Sequence, residues 1–208
     1  LLGEQDRGLP NRELPGRALW REGHRAVYSA QLGRLFVLGG RDALGVARGD
    51  INAYDLATST WSAVPITTPL GGSVLAATYS FTDRSLYVLD QLGANKQRLF
   101  RIRISSGVVE HLVSLEPSSA QYSLTTDLDG SVLLLASGAN EHLLFRLWRK
   151  ESGWVYEELL RESTPAVHPV LVDEHGYVVY QRGAEWHGTR YPQLVAENHP
   201  IAGLPERL

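Results

Sequence analysis

Residues 24–66 read HRAVYSAQLGRLFVLGGRDALGVARGDINAYDLATSTWSAVPI, and their pattern decides the fold. From His24 to Gln31 apolar and polar residues alternate, a tight turn falls at Leu32-Gly33-Arg34, and the chain returns as Leu35 to Gly40. Period-two alternation interrupted by a glycine-bearing turn is the signature of an antiparallel hairpin. A glycine-containing polar stretch then leads to a third strand, INAYDL from Ile51, and the turn ATST leads to a fourth that begins at Trp61.

Working outward, the same hairpin returns three times: as VLAATYSF, Thr82-Asp83-Arg84 and SLYVLD; as QYSLTT, Asp127 to Gly130 and SVLLLAS; and as VHPVLV, Asp173 to Gly176 and YVVYQ. Third strands follow at Arg98 (RLFRIRI) and Leu143 (LLFRLW), and fourth strands are read at Val108 and Trp154 after the turns SSG and KESG. Tyr54, Phe100 and Phe145 are 46 and 45 residues apart, and Trp61, Val108 and Trp154 are 47 and 46 apart. A period near 46 with four strands in each unit is that of a β-propeller blade. One twisted sheet cannot bury both faces alone, whereas sheets stacked radially bury each other. The expectation is therefore an all-β chain of about four four-stranded antiparallel blades with almost no helix. Residues 1–208 are read as a single propeller domain with repeats at 24–66, 71–115, 121–160 and 166–190. The last repeat lacks a fourth strand, the tail after Arg190 carries no strand signal, and RALWRE at 17–22 is expected to complete it and close the ring. The alternative is that these blades are part of a larger propeller.

The first repeat resembles the kelch family. Gly39-Gly40 ends the second strand, Tyr54 follows with 13 residues between, and Trp61 follows with six between. In the other repeats the paired glycines are replaced by Leu89-Asp90, Ala136-Ser137 and Tyr180-Gln181, tyrosine by Phe100 and Phe145, and tryptophan is kept only as Trp154. The resemblance implies a propeller that serves as an interaction module, or in some members as part of a carbohydrate-active enzyme.

Composition narrows the function. The chain has 208 residues, 43% hydrophobic and 21% charged, with a net charge of -3 and acids and bases interspersed. Capture of nucleic acid or of an anionic membrane is not expected from such a surface. No stretch approaches the roughly 18 apolar residues of a spanning helix, so a soluble chain without membrane insertion is expected. The absence of cysteine removes disulfides, thiolate ligands and cysteine nucleophiles. The absence of methionine, position 1 included, reads as a processed or excised part of a longer protein, with a lean toward a secreted or extracytoplasmic setting.

In an up-and-down blade the loops joining strands two and three share a face with the connections between blades, and variable polar loops on one face are where binding residues gather. Arg41, Asp42 and Arg48, Asn95 and Lys96, Asn140 and Glu141, and Arg182, Glu185 and Trp186 are the candidate binding residues on that face. Trp61 and Trp154 keep the repeat register and read as blade packing, whereas Trp186 breaks it. His24, His111, His142, His168, His175, His187 and His199 show no HxH or HExxH spacing, so no metal and no cofactor is expected. Asp127, Asp129 and Gly130 read as a hairpin turn rather than a calcium loop, which needs more carboxylates and a distal glutamate. With no nucleophile motif, the reading is a non-catalytic module whose partner is a protein or other domains of its parent chain. The alternative is a carbohydrate-binding or carbohydrate-active propeller.

Overall fold

The computed structural model describes residues 21–93, 96–115, 121–127, 129–138, 142–162, 171–172, 177–182, 185–190 and 199–200. They form four antiparallel sheets, each of four strands hydrogen-bonded in sequence order, and no helix occurs among them. The first sheet contains β1 (Arg25–Ser29), β2 (Arg34–Leu38), β3 (Ile51–Asp55) and β4 (Thr60–Val64); the second contains β5 (Ser73–Ser80), β6 (Ser85–Leu92), β7 (Lys96–Arg103) and β8 (Val109–Leu115). The third contains β9 (Gln121–Thr126), β10 (Val132–Ser137), β11 (His142–Lys150) and β12 (Gly153–Glu162). The fourth contains β13 (Leu171–Val172), β14 (Tyr177–Arg182), β15 (Glu185–Arg190) and β16 (His199–Pro200).

The fourth strand of the last sheet is thus His199–Pro200, from the tail in which no strand was expected, and not residues 17–22. Of that expected closing strand, residues 17–20 lie outside the described residues, and Glu22 bridges Arg41 beside the first sheet. A two-residue pairing carries too little periodicity to register as a strand in the sequence, which is why the tail reads as a loop.

Alternation assigns the two faces of each sheet. Phe36 and Leu38 of β2, with Ile51 and Ala53 of β3, join Leu86, Val88, Phe100 and Ile102 of the second sheet in one buried cluster. Tyr87, Leu89 and Leu99 point the other way and join Leu124, Val132, Leu134 and Leu147 of the third sheet. From Ser85 to Asp90 and from Val132 to Ser137 every residue is buried, as expected of a strand with a sheet on each side. The innermost strands lie side by side, β1 against β5, β5 against β9 and β9 against β13.

The registers correct the alignment of the repeats. Leu35, Leu86 and Val132 are equivalent, each following the residue that closes its hairpin turn (Arg34, Ser85 and Ser131), and their partners on the third strands are Tyr54, Ile102 and Leu147. Phe100 and Phe145 instead pair with Val88 and Leu134, the position at which the first sheet has Asn52 opposite Val37. On the same register Gly39-Gly40 corresponds to Asp90-Gln91, one residue later than the spacing in the sequence suggests, and to Ala136-Ser137, where the spacing places it. Trp154 does pack between sheets, its ring edge-on to Tyr87 at 5.9 Å and its Nε1 donating to Glu110 at 3.2 Å. Trp61 packs against Tyr54 within its own sheet, ring centroids 5.2 Å apart and planes tilted by 50°. The Asp127 turn closes through Gly130 N donating to Asp127 O at 3.0 Å, while Asp129 pairs with Arg146.

Candidate functional site

The loop between β2 and β3 is the longest connection between second and third strands; β6 and β7 are separated by residues 93–95, and β14 and β15 by two residues. That loop is folded on itself. Asp42 accepts the N–H groups of Leu44 at 3.0 Å and Val46 at 2.9 Å on one carboxylate oxygen, and Arg48 at 2.6 Å on the other. Arg41 donates to the carbonyl of Gly45 at 2.9 Å. Arg48 N bonds Gly40 O at 2.8 Å, and Gly40 N bonds Gly72 O at 3.0 Å, so the loop is tied to the connection between the first two sheets.

Behind it lies a recess of about 530 Å³, lined by Glu22, Gly23, Gly40, Arg41, Ala47, Gly71, Gly72, Ser73, Gln91 and Gly93. Half of that lining is glycine, and at Gly40, Gly71 and Gly72 the packing requires it. A Cβ on Gly40 would stand 2.7 Å from Glu22 O, and one on Gly72 would stand 2.6 Å from the Ala47 Cβ, both at positive φ. The wall is therefore largely main chain.

Two carboxylates anchor the rim. Asp50 receives Arg21, whose guanidinium also donates to Gly39 O at 3.2 Å, and the Asn52 amide at 3.0 Å. Asp90 has no solvent exposure; its Oδ2 accepts Gly71 N and Arg98 Nη2, both at 2.7 Å, and its Oδ1 accepts Arg98 Nε at 3.0 Å. Hydrogen bonding from Val46 N–H holds the Asp42 carboxyl below the usual range, with burial opposing and Leu44 and Arg48 assisting. For Asp50 burial pushes upward, and the hydrogen bond and charge of Arg21 more than offset it.

A group whose folded pKa is depressed stabilises the fold above its unfolded pKa, and that contribution is lost as pH falls through the folded value. The Asp42 and Asp50 carboxyl carbons are therefore expected to titrate in the folded protein with midpoints below the ordinary 3.8. The loop contribution to stability should disappear only under that acid condition. Carbon-detected NMR titration checks this, and midpoints at or above 3.8 would show the rim contacts to be absent in solution.

Of the candidate residues, Arg41, Asp42 and Arg48 come together in this loop. Lys96 is the exposed first residue of β7, opposite Leu92. Arg182 and Glu185 pair across the end of the β14–β15 hairpin, and Trp186 pairs with Gln181 inside that ladder, so these three belong to strands rather than to a loop. Asn95, Asn140 and Glu141 lie outside the described residues. Asp90 and the Gly71-Gly72-Ser73 wall were not candidates. Among the described residues no group of three or more His, Asp or Glu is placed to hold a metal ion.

A second recess, of about 400 Å³, opens between the second and third sheets and is lined in part by Gln97, Tyr122, Phe145, Tyr156, Glu158 and Arg161. Gln97 is 3% exposed, and among the described residues neither its Oε1 nor the buried Tyr122 hydroxyl has a hydrogen-bond partner.

No family model and no curated protein sequence matches the chain. Solved structures do. The extracellular domain of a protein described as the one-component system BT4673 from B. thetaiotaomicron is 16% identical with a TM-score of 0.55, over 86% of this chain and 22% of that one. Virginiamycin B lyase from Staphylococcus aureus is 13% identical with a TM-score of 0.55, over 86% and 55%. A protein described as a gluconolactonase, structural-genomics target DrR130, is 15% identical with a TM-score of 0.57, over 81% and 59%. The likeness shows the fold, a β-propeller, and the chain spans 22 to 59% of the length of these structures.

Proposed function

We propose that this propeller is a non-catalytic binding module that takes an extended segment of a protein partner in the recess between its first two sheets. The observation that carries the reading is the wall itself. Gly23, Gly40, Gly71, Gly72 and Gly93 leave main-chain surface open to a ligand, with Glu22, Arg41, Ser73 and Gln91 around it. Gly40 N and O, Gly71 N and Gly72 O are already bonded within the protein, so the glycines give an extended peptide room to lie close while its main-chain groups would bond the Glu22, Arg41, Ser73 and Gln91 side chains around it. The carboxylates of the rim support the same reading. Asp42, Asp50 and Asp90 are engaged by arginines and backbone N–H groups that hold loops in place, whereas a general acid or base works best with a pKa near the operating pH. The kelch-like design of the first sheet, with Gly39-Gly40, Tyr54 and Trp61, agrees with an interaction module.

Filling the recess tests it. Ala47 is exposed and lines the recess, so Ala47→Trp occupies the space without disturbing the core. Peptides selected from a random display library on the wild-type chain are expected to lose at least about tenfold in affinity, or about 1.4 kcal/mol, toward Ala47→Trp at an unchanged unfolding midpoint. Peptides that bind both proteins equally would place recognition elsewhere.

The second recess favours a second reading, carbohydrate binding. Sugar hydroxyls could donate to the orphan Gln97 Oε1 and bond the Tyr122 hydroxyl, while the Phe145 and Tyr156 rings offer stacking surface. On that reading a glycan-array signal is abolished by Tyr122→Phe and unaffected by Ala47→Trp.

A further inference from the structure

Among the described residues the first sheet has one face without a neighbour, and the register says what that face is built for. In the second sheet, Leu86 and Val88 point at the preceding sheet and have no solvent exposure; in the third, Val132 and Leu134 do the same. The equivalent residues of the first sheet, Leu35 and Val37, are only half-buried. Tyr79 of the second sheet stacks on Phe36 of the first, with ring centroids 6.5 Å apart and planes within 14°. Its equivalent in the first sheet is Tyr28, at the corresponding place in AVYS against ATYS, and Tyr28 is 56% exposed. The row Tyr28, Leu35, Tyr54, Trp61 and the row beside it hold no charged residue. A contiguous uncharged sheet face carrying three aromatic rings is a contact surface rather than a solvated one.

At both described interfaces between sheets the residues in these positions are covered by the alternate face of a four-stranded sheet of the same design. The required occupant is such a sheet. Among the described residues the inner strands run from β1 to β13, and β13 packs on β9 and makes no comparable contact with β1. We propose that the occupant is the last sheet of a second copy of this chain, so that two copies, each seating its fourth sheet on the first sheet of the other, close one ring of eight blades. A two-fold axis then satisfies both open ends at once, which is the commonest symmetry of soluble oligomers, and eight blades lies within the range propellers adopt. The open face continues an interface already built twice in the molecule. This inference does not depend on what the recess binds.

Light scattering coupled to size exclusion on the full 208-residue chain, over a hundredfold range of concentration, reads the result directly. The expected mass is twice the 23.0 kDa of one chain. Val37→Asp, which sets a charge in the middle of the face, is expected to give the single-chain mass with the β-sheet circular dichroism retained. Should that variant fail to fold, Tyr28→Glu serves instead: its side chain is largely in solvent in the single chain, so the fold tolerates it, and it should weaken dimerisation at least tenfold. A monomer at every concentration, a mass above that of a dimer, or a dimer that survives both substitutions overturns the proposal. Peptide binding at the recess is scored separately with Ala47→Trp, so the failure of either idea leaves the other standing.

Discussion

Replacing Asp90 by alanine is expected to destabilise the protein by about 3–5 kcal/mol, the range for breaking one partner out of a buried ion pair. The carboxylate has no exposure, and the Arg98 side chain is 22% exposed, so solvent cannot take over the pairing. Three hydrogen bonds go at once, from Arg98 Nε, Arg98 Nη2 and Gly71 N. What remains is a guanidinium over the Phe100 ring at 4.8 Å and an N–H with no acceptor. Asparagine keeps one oxygen and should cost less. Because Gly71 belongs to the recess wall, Asp90→Ala should also weaken any ligand bound there, in contrast to Ala47→Trp, which is expected to weaken such binding at an unchanged unfolding midpoint. Urea unfolding followed by tryptophan fluorescence measures the first effect. A loss below about 1 kcal/mol, the scale of an exposed pair, would mean that water reaches Asp90.

Phe36→Ala is expected to cost about 3–5 kcal/mol, as for other aromatic truncations in closed cores. Phe36 is fully buried between the first two sheets, inside the cluster with Leu86, Val88 and Phe100, and it carries the Tyr79 ring on its flank. Truncation removes the largest side chain that the first sheet contributes to this contact. Since each sheet touches only its neighbours, the loss falls on one interface, and the first sheet is expected to unfold at lower urea than the other three, broadening the transition. A midpoint unchanged within error would show that the two sheets are not packed as described.

The hairpins were legible in the sequence because period-two alternation and glycine or aspartate turns are local signals. AVYS and ATYS even show the recurrence of one strand by identity. The registers were not. The second and third strands are joined by residues 39–50 in the first sheet but only by 93–95 and 138–141 in the next two, so a constant spacing along the chain does not mark equivalent positions in the sheets. Phe100 and Phe145 fall by spacing opposite Tyr54, yet by hydrogen bonding they occupy the place of Asn52. Of the site, the charged loop Arg41, Asp42 and Arg48 could be picked out because polar residues cluster there. Asp90 could not, since it sits in a strand where an acid in an apolar run looks like the end of the strand. Its role depends on Gly71 and Arg98, which lie 19 and 8 residues away. The wall of the recess is main chain, and glycines that fit for steric reasons leave no chemical mark in a sequence.

The alternation of faces has one more consequence. Leu35 and Val37, Leu86 and Val88, and Val132 and Leu134 look backward, while Phe36 and Leu38, Tyr87 and Leu89 look forward. Both described junctions between sheets are thus written in the same two-sided code, and neither carries information about how many units precede or follow. Such a surface lets whole blades be duplicated, deleted or shared between polypeptides without any junction having to be reinvented. The size of the ring is left to the twist of the sheets and to whatever ends the row.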